Sequence, residues 1–87
     1  MEVKDLIVID PEILGGQPVF KGTRVSVESL FDHLETGVSL EEFLEDFPTV
    51  TKEQAIATLE IANKLLTSKN IAQLYEIAAW WELTQAA

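Results

Sequence analysis

The sequence predicts a mainly α-helical domain: a trihelical helix-turn-helix core behind a short N-terminal β element, with an extra C-terminal helix. Three observations predict it. Two hydroxyl-led patterns, Ser39-Leu-Glu-Glu42 and Thr51-Lys-Glu-Gln54, each precede an apolar run at helical spacing, as capping boxes do. Gly37 and Pro48 stand where helices should stop, because glycine tolerates the left-handed cap and proline cannot continue the hydrogen-bond ladder. Short β-branched pieces, "LIVID" at 6–10, "PVFK" at 18–21 and "TRVSV" at 23–27, sit among glycines and prolines at the N-terminal end.

Taken in order, "LIVID" reads as a strand, and Asp10 before Pro11 caps a single turn over "PEIL" that Gly15 closes. Two further extended pieces flank Lys21-Gly22, where glycine permits the positive φ of a tight turn. Ser26 then caps a helix with Val27, Leu30, Phe31 and Leu34 on one face, ending at Gly37. The next helix begins at Ser39, buries Leu40, Phe43, Leu44 and Phe47, and stops at Pro48. A longer helix follows Thr51 to about Thr67, with Ala55, Ile56, Leu59, Ala62 and Leu66 as its expected inward stripe. Asn70 caps a last helix carrying Ile71, Leu74, Tyr75, Ala78 and Trp81 along one side. Ile77, Ala79 and Trp80 lie off that side, so this helix either wraps into the fold or packs against a second copy of the chain.

Residues 1–69 are thus read as the β element plus the trihelical unit, and 70–87 as a packing or dimerisation extension of one domain overall. A chain of 87 residues, 47% of them hydrophobic, can close one core but sits near the size at which association adds needed stability. Exposed tryptophans are frequent interface anchors, and the expectation is a homodimer that uses Trp80 and Trp81. The chain has no cysteine, which excludes disulfides and thiolate metal sites. The acidic "MEVKDLIVIDPE" start does not resemble a signal peptide, and no apolar run approaches the about 20 residues of a membrane span, so a cytoplasmic protein is expected.

The net charge of −9 is unevenly placed. From Val25 to Asn63 nine acids face one base, Lys52. Two readings stand beside each other: solvated helix faces that maintain solubility, or a surface for a basic protein partner built on Glu41, Glu42, Glu45 and Asp46. Glu41 with Glu45 and Glu42 with Asp46 are like-charge pairs four apart, which a basic partner would relieve. As a helix-turn-helix, the third helix would turn Lys52, Gln54 and Thr58 toward a major groove, with Lys21 and Arg24 as further phosphate contacts. Charge disfavours that reading, since DNA readers concentrate bases on such helices. An ion pair of Arg24 with Asp10 or Glu28 is expected in preference to a phosphate contact.

Enzymatic function is not expected. His33 is the only histidine, expected at the surface or core edge, and no thiol exists, so acid–base or covalent chemistry has few materials. Consecutive carboxylates on one helix rarely converge on a metal, and no cofactor is implied. In Lys21-Gly22-Thr23 the lysine and glycine stand in the reverse order from a phosphate-binding loop.

Asp10-Pro11, Gly16-x-Pro18, Lys21-Gly22-Thr23-Arg24 with Val25 and Val27, Gly37-x-Ser39, "EEFLEDFP" and the threonine-capped helix form one combination over residues 9–62, about three fifths of the chain. In that combination the chain resembles the "domain of unknown function 433" family of small bacterial and archaeal proteins. The resemblance implies a homeodomain-like trihelical fold and an antitoxin that neutralises a PIN-like, metal-dependent ribonuclease toxin encoded nearby. Repression of its own operon through the helix-turn-helix is implied as a second role. The alternative is a dimeric interaction or adaptor protein with no nucleic-acid role.

Overall fold

The structure, a computed structural model, describes residues 2–68. The predicted helix over 70–87, with Trp80 and Trp81, lies outside the described residues. Within them the chain is mainly helical with one two-stranded sheet. The elements are α1 (Val3–Leu6), β1 (Ile7–Val8), β2 (Val19–Phe20), α2 (Val27–Glu35), α3 (Leu40–Asp46) and α4 (Lys52–Thr67), with a 3-10 turn at Leu14–Gly16 between the strands.

The N-terminal end departs from expectation. Instead of one strand over 6–10, a single helical turn, α1, precedes a two-residue strand. Leu6 is wholly buried where α1 meets α4, so burial of one leucine outweighs the strand preference of its β-branched neighbours. The strands run antiparallel, Ile7 opposite Phe20 and Val8 opposite Val19, and Val19 also bridges to Ser26. The Asp10 carboxylate caps its turn by accepting from the Glu12 amide at 2.9 Å. Leu14 (φ 48°), Gly15 (φ 66°) and Gly16 (φ 91°) then all take positive φ, turning the chain back toward β2.

The three longer helices start as predicted at Ser26, Ser39 and Thr51, each hydroxyl accepting an amide three residues on, at 3.1, 3.1 and 3.0 Å. At Thr51 the capping box is complete, because Gln54 Oε1 accepts the Thr51 amide in return. At Ser39 only half of it forms. The Glu42 side chain returns no bond to the Ser39 amide. Gly37 (φ 88°) ends α2 with paired bonds, its own amide to Leu34 O and the Val38 amide to His33 O, which is a Schellman closure. Past α3, Pro48 occupies a turn closed by the Val50 amide on Phe47 O at 3.0 Å.

Phe20, Leu30, Phe43, Val50 and Ala55 form the buried core, with Val25, Val27, Leu34, Leu40, Leu44, Phe47 and Leu59 packed round it. α2 packs on α3, and α1 packs on α4. The expected stripe of α4 is corrected: Ile56 and Leu66 are exposed, and the buried line runs through Ala55 and Thr58 to half-buried Leu59 and Ala62. Thr58 can face inward because its hydroxyl donates to Gln54 O at 2.8 Å, leaving no unsatisfied donor. Among the described residues no helix is long and apolar enough to cross a membrane.

Candidate functional site

Two surfaces of opposite charge stand out. The first is α3. Phe43 is buried on its inner side, and His33 of α2 lies edge-on to both Phe43 and Phe47 with 5.3 Å between ring centroids. The His33 ring is held by a 2.6 Å hydrogen bond between its Nδ1 and Ser29 O, which makes it an edge-of-core residue. That aromatic stack fixes the roll of α3, and Glu41, Glu42, Glu45 and Asp46 are left exposed on the other side. None of the four forms an ion pair among the described residues; the pairs there are Lys4–Glu2 at 3.4 Å and Lys64–Glu60 at 3.9 Å. Glu45 and Asp46 also lie in the last turn, beside the negative end of the helix dipole, with no base there to offset it. No three His, Asp or Glu side chains among the described residues are grouped to hold a metal.

A second acidic surface escaped the sequence reading. Glu28, Asp32 and Glu35 of α2 ring half-buried Phe31, and with Gln17 and Pro18 they enclose an open cleft of about 460 Å³. The spacing 28, 31/32, 35 was the available signal, since it places all four on one helical face.

Three bases, Lys21, Arg24 and Lys52, lie on two segments that the fold joins. Gly22 (φ 81°) allows the tight turn in which the Thr23 amide and hydroxyl both donate to Phe20 O, while Thr23 Oγ1 accepts the Val25 amide at 3.0 Å. Gln54 Nε2 donates to Lys21 O at 2.9 Å and so joins this loop to the first turn of α4, where Lys52 is exposed. Lys21, Arg24 and Lys52 are therefore on elements held together. The other two residues expected at a DNA surface are not available to it. Thr58 is buried at 4% exposure, and both ends of the Gln54 amide are engaged within the chain. The expected ion pair of Arg24 with Asp10 or Glu28 is also absent, because Asp10 closes its own turn and Glu28 belongs to the Phe31 cleft. Arg24 has no ion pair among the described residues and forms part of the wall of an open cleft of about 580 Å³.

The family model for "Protein of unknown function (DUF433)" matches residues 7–62, from β1 into the last turns of α4. The chain belongs to that family. A relative, the uncharacterized protein y4eO of Sinorhizobium fredii, is 37% identical over 51 residues, which is 59% of this chain and 23% of the relative. The matched part therefore spans about a quarter of that relative's own length. No solved structure matches the chain. The matched region contains both acidic surfaces, the Lys21–Arg24 loop and the first turn of α4.

Proposed function

We propose that this domain is a non-enzymatic, antitoxin-like protein that binds and neutralises a PIN-like ribonuclease toxin through its acidic helical faces. The observation that carries this reading is the uncompensated charge of α3: four exposed carboxylates without an ion pair among the described residues, in two like-charge pairs four apart, with Glu45 and Asp46 at the negative end of the helix dipole. A partner with a basic surface would lower that energy on docking, and surface charge of opposite sign accelerates the encounter. The acid-rimmed cleft around Phe31 supports the same reading, since it offers an apolar floor to the stem of a lysine or arginine. A homodimer built on the segment with Trp80 and Trp81 would present these faces twice.

In this proposal α3, the Phe47–Val50 turn and α4 act as a homeodomain-like helix-turn-helix, and autorepression is its DNA-binding arm. With Gln54 and Thr58 committed to the fold, that arm rests on Lys21, Arg24 and Lys52. Co-expression with a PIN-like toxin encoded beside the gene tests the reading. A co-purifying complex and loss of ribonuclease activity on addition of this protein are expected. No complex, or undiminished nuclease activity within one, refutes it and leaves the dimeric adaptor reading.

A further inference from the structure

The Arg24 cleft has a construction that neither the toxin-binding reading nor a phosphate contact uses. It is lined by Val8, Ile13, Val19 and Val25 with the 22–24 turn, and Arg24 and Thr49 add polar groups beyond the Thr23 hydroxyl, which its own turn engages. Arg24 is exposed and unpaired, and the Thr49 hydroxyl makes no hydrogen bond among the described residues. In a protein of net charge −9, the one arginine is thus left without a counter-ion among the described residues, at the edge of an apolar depression.

We propose that this cleft binds an extended segment of a partner protein in which an aliphatic side chain and a carboxylate stand two residues apart, so that both point to the same face. An aliphatic side chain fills the space between Val8, Ile13 and Val25, and an Asp or Glu two residues along takes the Arg24 guanidinium in a forked pair, with Thr49 as an additional donor. Charge complementarity selects this occupant. Lys21 precedes the turn and Lys52 opens the helix tied to it, so a carboxylate meets favourable potential here and nowhere on the α2 and α3 faces. Duplex DNA fits less well. It needs many phosphate contacts rather than three cations, and it has no use for an apolar floor beside the arginine.

Fluorescence anisotropy with a labelled, end-capped peptide of repeating Val-Ser-Asp-Ser, which sets Val and Asp on one face when extended, tests the proposal. The same peptide with Asn for Asp, and a short duplex DNA, serve as the other arms. Saturable binding of the Asp peptide is expected, with methyl resonances of Val8 and Val25 shifting on titration. Arg24→Gln should weaken it by about tenfold or more, the scale of one charged hydrogen-bonded pair. Arg24→Lys should recover part of the loss, because it restores charge but not the fork. Thr49→Phe, at an exposed position of the wall, should fill the cleft and abolish binding while leaving the circular dichroism melt unchanged. Absence of saturable binding, equal affinity for the Asn peptide, indifference to Arg24→Gln, or tighter binding of the duplex at these residues overturns the proposal. The site shares no residue with the acidic faces, so either reading can fail without the other.

Discussion

Gln54 is the residue on which the basic end depends most directly, and its two hydrogen bonds can be separated by substitution. Its Oε1 accepts the Thr51 amide at 3.0 Å and its Nε2 donates to Lys21 O at 2.9 Å, a combination that requires an amide. Gln54→Ala removes both bonds. Each is near the surface, so the lower half of the usual range of about 0.5–1.5 kcal/mol applies to each, and alanine returns a few tenths through helix propensity. The expected net loss is about 1 kcal/mol, or about 4–8 °C in Tm for a domain of this size.

Gln54→Glu is the informative partner. It keeps the acceptor for Thr51 and adds a charge at the third position of α4, where the helix dipole favours it by about 0.3–1 kcal/mol. It loses the donor and sets a carboxylate against the Lys21 carbonyl. The structure therefore predicts a protein no more stable than wild type despite an improved cap, with faster amide exchange in the 21–24 loop. Urea melts followed at 222 nm and hydrogen exchange by NMR measure both. A Gln54→Glu protein more stable than wild type, with an unchanged loop, would refute the claim that this bond ties the Lys21–Arg24 loop to α4.

Further outcomes follow from the packing, the backbone geometry and the charge of α3. Phe43→Ala removes a wholly buried ring and should cost about 3–5 kcal/mol, enough to leave a domain this small largely unfolded by circular dichroism. Thr58→Val should change stability by less than about 1 kcal/mol in the urea melt, because the hydroxyl serves only to satisfy itself on Gln54 O, and it should leave any DNA affinity in a gel-shift assay unchanged. Leu14→Gly should leave stability within about 1 kcal/mol of wild type, because relief of a left-handed leucine is offset by loss of its partly buried side chain and by the chain entropy of glycine, whereas Gly37→Ala should cost about 1–2 kcal/mol at φ 88°. Glu45→Lys with Asp46→Lys converts two repulsive pairs into attractive ones and complements the C-terminal dipole, so Tm should rise by several degrees, about 1 kcal/mol, while capture of a basic toxin in a pull-down falls.

What the sequence made legible was what depends on neighbours a few residues away. Ser26, Ser39 and Thr51 start helices, and Gly37 and Pro48 stop them, because hydroxyl caps, left-handed glycine and the missing proline amide act over one turn. Direction across the fold was less legible. Ile56 looked like core and Thr58 like surface by side-chain polarity alone, yet the rotation of α4 is set by what lies against it, and a threonine that bonds back to its own helix buries as a small apolar group. The same limit hid α1, whose one turn exists because Leu6 reaches the core. At the candidate surfaces, residue type identified the acids and bases correctly, but only tertiary placement separated free groups from committed ones. Gln54 and Thr58 are committed, whereas Lys21, Arg24, Lys52 and the four α3 acids remain exposed.

The placement of charge in α3 bears on why such a short helix forms at all. Its seven residues contain four acids and no base, two of the acids oppose the dipole, and an isolated peptide of this sequence would not hold a helix. The aromatic stack of His33, Phe43 and Phe47 and the burial of Phe43 supply what local electrostatics withholds. Stability alone would be served better by lysines at 45 and 46, which touch nothing in the core. On the proposed function, contacts outside the chain account for like-charge pairs that work against their own helix, and raising the salt concentration discriminates between the terms. Screening should weaken the repulsion within α3 and stabilise the free domain slightly, while weakening a complex with a basic partner, so domain Tm and complex affinity should move in opposite directions. Parallel movement of the two would mean that the α3 acids contribute to solubility alone.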